Sequence, residues 1–162
     1  MNTWCSSVGT FIGLGATCIR QMKLLDLIQL TPLMNATRGK PEITVGLIDG
    51  PVMVNHPDLA GANIREVPGR LAGTCSRASG LACQHGTFVA GILVGKRGSV
   101  APAICPNCTL LVRPIFAEVA AANAELPSAA SEELVQAIVE IVDAGACVLN
   151  LSAAMTVVFI QS

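Results

Sequence analysis

Two residues in this sequence pair a reactive type with an unusual local setting. Asp49 ends the apolar run Ile43-Thr-Val-Gly-Leu-Ile48 and is followed at once by Gly50-Pro51. A carboxylate at the C-terminal end of such a strand lies where open α/β sheets place their ligand sites. His85 stands in Gln84-His85-Gly86-Thr87-Phe88-Val89-Ala90-Gly91, which reads as a helix opening at the histidine and running to about Gly95. An aspartate and a histidine can form an acid–base relay, in which the carboxylate orients the imidazole, fixes its tautomer and stabilises the imidazolium. A separation of 36 residues leaves room for a strand, a loop and a helix. The residues alone keep two plainer roles open: Asp49 as a turn former bonded to its own loop, and His85 as an unpartnered residue at a helix start.

The surrounding pattern supplies the elements that would position them. The run from Ile43 to Ile48 is apolar on both sides, as expected of a parallel strand covered on both faces. Val52 to Ala82 is loop-rich, with Pro57, Gly61, Pro68, Gly69, Gly73 and Gly80. Thr109 to Pro114 reads as a strand closed by proline, and Cys147 to Leu151 as another. Ser131 is expected to cap a helix with Glu132 and Glu133 in its positive first turn. In that helix Leu134, Ile138, Ile141 and Val142 fall at helical spacing, and Gly145 suits the position after its end. Leu24 to Leu33 has a short helical pattern, and Asn35 to Pro41 supplies turn residues. Strand–helix–strand order with these connections predicts a parallel α/β sheet.

Composition excludes several classes. Among 162 residues, 10 Lys and Arg face 11 Asp and Glu, a balance of −1 that offers no basic face for nucleic acid. Aromatics are 3% of the chain, too few to stack bases. At 52% hydrophobic and 13% charged, the chain is no disordered tail. Residues 1–21 read as a leader or an over-extended start. No cation precedes the apolar stretch Val8–Ile19, and Arg20 follows it, which is the wrong order for a signal peptide. No membrane span is expected, and a cytoplasmic location is favoured. Residues 22–41 are expected to form an N-terminal helix and linker, with the main domain at 42–162.

Val45-Gly-Leu-Ile-Asp49-Gly, then His56-Pro-Asp-Leu59, then His85-Gly-Thr-Phe-Val-Ala-Gly91 resemble, in order, the subtilisin-like serine peptidases, or subtilases. The resemblance implies a doubly wound parallel sheet with helices on both faces, incomplete in this chain. It implies Asp49 as the orienting acid and His85 as the general base of a Ser-His-Asp triad. Val100-Ala-Pro102 resembles the turn after the triad helix. Val148-Leu-Asn-Leu-Ser152 resembles the strand whose end lines the substrate cleft, so that Leu151, Ser152 and Ala153 would border a peptide or protein substrate. Cys83-Gln-His85-Gly-Thr-Phe88, Ala101-Pro-Ala-Ile-Cys-Pro-Asn-Cys108 and Leu111-Val-Arg-Pro-Ile-Phe116 are similar to the subtilases of cyanobactin-type peptide maturation.

The sequence departs from the family in several places. Its nucleophile motif, Gly-Thr-Ser-x-Ala-x-Pro, occurs nowhere in the 162 residues, and neither does the oxyanion-hole asparagine segment. Ser152 matches a cleft residue, not the nucleophile. The expectation is therefore the N-terminal part of a serine endopeptidase, inactive alone, with a complementing chain as an alternative source of the missing part. Phe88 replaces the second histidine common in the family. Asp58 matches a family calcium ligand, but the stretch from Ile92 to Val100 is shorter than the family's usual calcium-binding loop and its Lys96-Arg97 would repel a cation, so no metal or other cofactor is expected.

Seven cysteines, at 5, 18, 75, 83, 105, 108 and 147, are an odd number in a chain of this length. Their spacing favours free structural thiols, with a disulfide pair or a zinc site from Cys75, Cys83, Cys105 and Cys108 as alternatives. Cys105-Pro-Asn-Cys108 has redox-pair spacing, but a strand follows it where a redox pair would open a helix. Two rivals to the peptidase reading remain: a non-catalytic subtilase-like binding or assembly module, and a cysteine-based zinc or redox module.

Overall fold

Alternation along the strands divides the sheet into two apolar faces, and each face acquires a helix. The structure, a computed structural model, describes residues 25–118 and 127–153. The chain divides into two compact units, residues 1–37 and 38–162. In the described part of the first, helix α1 spans Leu30–Ala36. It is preceded by helical residues 25–27 and by Gln29 at φ 57°, so the helical pattern expected over Leu24 to Leu33 is broken where that left-handed residue sits.

The second unit holds strands β1 (Thr44–Asp49), β2 (Asn63–Glu66), β3 (Thr109–Pro114) and β4 (Val148–Leu151), with helices α2 (Leu81–Val94) and α3 (Ser131–Asp143). All pairings are parallel, in the order β2-β3-β1-β4. β1 lies in the middle, with Asp49 opposite Pro114 on one side and Ile48 opposite Leu151 on the other. This is the parallel α/β arrangement expected of a subtilisin-like sheet, and four strands of it are present among the described residues.

Val45 and Leu47 of β1 with Leu110 and Val112 of β3 form one cluster with Ala90 and Val94 of α2. Ile48 and Leu111 turn the other way and pack with Ala137 and Ile141 of α3. Period-two alternation therefore delivers Asp49 to the α2 face and Arg113 to the α3 face. At the end of α3, Gly145 takes φ 94°, a conformation costly for any residue with a Cβ, and its N–H bonds Val142 O.

Several expected boundaries move. α2 begins at Leu81, four residues before His85, with Gly80 as an N-cap that offers no side-chain bond. Ser131 is the first residue of α3 and not its cap; Ala130 holds that position, and the Ser131 hydroxyl bonds Glu132. The segment read as loop contains the 3-10 turn Pro57–Leu59 and strand β2. Among the described residues, no helix is long and apolar enough to cross a membrane. The leader expected over residues 1–21 lies outside the described residues.

Candidate active site

β1 carries Asp49 to the end of the sheet, and the chain then turns through Gly50 and Pro51 beneath the first turns of α2. The backbones interlock there. A Cβ on Gly50 would lie 2.1 Å from Ala82 O, and one on Gly86 would lie 2.5 Å from Gly50 O. Only glycine at both positions lets the helix come this close. Thr87 adds a tie, accepting the Met53 N–H at 2.9 Å.

This approach brings Asp49 and His85 together. His85 Nδ1 lies 2.8 Å from Asp49 Oδ1 and 2.9 Å from Oδ2. The carboxylate is held further by the Gly50 N–H, 2.6 Å from Oδ1. Asp49 is 1% exposed while the His85 side chain is 53% exposed. A buried carboxylate fixes the inner nitrogen, and no group bonds Nε2 among the described residues. Such a pair can accept a proton at Nε2 from a solvent-side group and share the resulting charge with the carboxylate.

The residues expected to border a substrate, Leu151, Ser152 and Ala153, lie at the end of the neighbouring strand β4 and just after it. Leu151 pairs with Ile48, so Ser152 and Ala153 continue at the level of Asp49. Leu151 and Ala153 are exposed and Ser152 half-buried, its hydroxyl donating to Asn150 Oδ1 at 2.9 Å. Asp58 adjoins Lys96. Its N–H bonds His56 Nδ1, its carbonyl accepts from Lys96 N, and Lys96 Nζ donates to Pro57 O at 2.7 Å.

The cysteines correct the favoured expectation of free thiols throughout. Cys75 and Cys83 form a disulfide that ties the preceding loop to the first turn of α2. Cys105, Cys108 and Cys147 are free. The four-cysteine zinc site is overturned, because two of its ligands are bonded to each other. Burial, then the neighbouring Cys108 thiol, pushes Cys105 up to about 11. That is the opposite of the lowered value a redox nucleophile needs.

Two further groups escape the sequence reading. Glu118 accepts from Ser76 N at 2.8 Å, Ser76 Oγ at 2.6 Å and Arg77 N at 2.8 Å, joining the loop after β3 to the loop before α2. Burial opposes its charge, but those hydrogen bonds outweigh it and hold the carboxyl below its ordinary range. Arg113, 1% exposed, reaches Glu140 and Glu133 of α3. Burial opposes that charge too, and the two carboxylates outweigh it and raise the guanidinium's pKa. A usable signal existed: Glu133 and Glu140 are seven apart, two turns on one helix face, opposite a lone cation in an apolar strand.

Residues 40–158 match the Subtilase family. Among solved structures, a point mutant of the protease domain of PatA is similar at TM-score 0.65 and 32% identity, over 74% of this chain and 41% of that one. The prenylagaramide maturation protease PagA is similar at TM-score 0.61 and 35% identity, over 76% of this chain and 39% of that one. The patellamide maturation protease PatA gives 0.57 and 30%, over 76% and 41%. The chain thus spans about two fifths of the length of these proteases. A search of curated proteins found no match.

Proposed function

The chain belongs to the subtilase family, and from that premise we propose that it carries the acid and base of a serine endopeptidase site. The observation that carries this reading is the approach of His85 Nδ1 to both oxygens of buried Asp49, at 2.8 and 2.9 Å, with the ring half exposed. In the proposed reaction, Nε2 takes the proton of a serine hydroxyl as that oxygen attacks a peptide carbonyl. The same proton is then delivered to the leaving amine, while Asp49 keeps Nδ1 protonated and the ring oriented. Leu151, Ser152 and Ala153 border the substrate backbone. Because the similar proteases are named for patellamide and prenylagaramide maturation, the proposed substrate is a precursor peptide.

The nucleophile and oxyanion donors are proposed to come from polypeptide outside these 162 residues, in a longer form of the chain or in a complementing one. Without them the pair has nothing to activate, and the chain alone is expected to be inactive. A second reading, an assembly module without catalysis, is favoured by one observation: Val148, Leu149 and Leu151 of edge strand β4 are exposed. The proposed location is the cytoplasm.

The test compares the 162-residue chain with a polypeptide extended through a Gly-Thr-Ser segment. The chain alone should neither react with a fluorophosphonate probe nor cleave a precursor peptide. The extended form should do both, and His85→Ala should lower its cleavage by about 10⁴-fold or more. Equal cleavage with and without His85 would sink the catalytic assignment. An extended form that binds peptide but never cleaves it would favour the assembly module.

A further inference from the structure

The helix that bears His85 starts without the usual local anchors. Its N-cap is Gly80, with no side-chain bond to the first turn, and that turn contains no acidic residue. Uncapped helix starts leave backbone donors unsatisfied and fray readily. Besides the close approach of Gly50 to Ala82, what holds this turn from outside is covalent. Cys83, its third residue, is bonded to Cys75, and Cys75 belongs to a segment fixed at several points. Val52 N–H bonds Gly73 O at 2.8 Å, Cys75 N–H bonds Val52 O at 3.2 Å, and Glu118 grips Ser76 and Arg77. Thr87, one turn further along α2, lies 3.9 Å from both sulfur atoms and is itself tied to Met53.

We propose that the Cys75–Cys83 disulfide is a redox-sensitive clamp that positions His85 against Asp49 by holding the uncapped first turn of α2. The proposal rests on the reading of Asp49 and His85 as acid and base. Its chemistry is ordinary thiol–disulfide exchange. One thiolate of an external dithiol attacks Cys75 Sγ, since Cys75 is half-buried and Cys83 fully buried. The Cys75–Cys83 bond breaks, and Cys83 leaves as a thiolate near a helix N-terminus that stabilises it. The second thiol of the dithiol then displaces Cys75. Two electrons pass, the protein gains two thiols, and the reductant becomes its own disulfide. In a reducing cytoplasm, a disulfide so placed reports the redox state, whereas in an oxidising compartment it is a permanent staple.

The experiment uses the 162-residue chain, followed by NMR before and after a dithiol reductant such as dithiothreitol. The oxidised chain should show the downfield imidazole Nδ1 proton of His85, and reduction should broaden it into exchange with water. Amide exchange over Ala82–Gly86 should accelerate about tenfold or more, while Leu47 and Val112 in the sheet change little. Reoxidation should restore both signals, and Cys75→Ser with Cys83→Ser should reproduce the reduced state. An unchanged Nδ1 proton after complete reduction would overturn the proposal. So would uniform acceleration of all amides, which marks a staple of general stability. If the clamp behaves as stated but the extended polypeptide never cleaves peptide, the peptidase reading falls and the clamp remains.

Discussion

The two sides of this sheet are finished to different degrees. On the α2 side, Asp49 and His85 sit over an apolar cluster, with interlocked glycines, a disulfide and the Glu118 clasp around them, although α2 also exposes Leu81 and Phe88. On the α3 side, a buried ion cluster lies beneath a helix whose outer face shows Val135, Val139 and Val142 to solvent, beside an exposed apolar edge strand. The difference teaches where local self-sufficiency ends. The acid–base pair needs only groups within this chain for its geometry, whereas apolar surface of that extent ordinarily marks a place where something else packs. Similar proteases are more than twice as long as the matched region, which agrees with that division.

The contrast can be broken at its strongest point first. Arg113→Met removes the buried guanidinium that bonds Glu133 and Glu140, leaving Glu133 only the exposed Arg70, and should cost about 2–3 kcal/mol in urea denaturation, the range for hydrogen bonds to charged groups. A near-zero cost would mean the α3 side is loose enough for the carboxylates to turn to water. Glu118→Gln probes the other side and should cost about 1 kcal/mol near neutral pH. The sign follows from its depressed pKa. The carboxylate's stabilisation is fully present above the unfolded value of about 4.3 and is lost as pH falls through the lower folded value. The gap in urea midpoint between wild type and Glu118→Gln should therefore close as the medium is acidified below about pH 4. Smallest of all, Val139→Ala, at a position 51% exposed, should change stability by less than about 0.5 kcal/mol in the isolated chain. A larger loss appearing only in an extended or complemented form would identify that face as covered there.

Much of the architecture was legible because burial on both faces writes a strong signal. β3 spans the six residues Thr109–Pro114 that its apolar run and closing proline indicate; β1 is shifted by one residue at both ends, and β4 starts one residue later than expected. β2 was not legible, since Asn63-Ile-Arg-Glu66 holds one apolar residue and its strand state comes from pairing with β3. The start of α2 was hidden for a related reason. Leu81-Ala-Cys-Gln84 follows no capping residue, so its helical state derives from the disulfide and the close backbone approach. The residue types at Asp49 and His85 suggested a relay, but their distance depends on two glycines whose role shows only when the helix and the turn are seen in contact. The disulfide was unreadable because eight residues of spacing in an odd set of cysteines fix no partner.

The strand order has a consequence in time. β1 is made first yet lies between β3 and β4, so its central place cannot be filled as it leaves the ribosome. Residues 50–108 must follow before β3 begins, roughly 3–12 s at ordinary synthesis rates of about 5–20 residues per second. Throughout that interval Val45, Leu47 and Ile48 have no neighbouring strand to join. The nascent chain therefore passes through a stage in which this apolar strand is open to chaperones, well before Asp49 and His85 can meet.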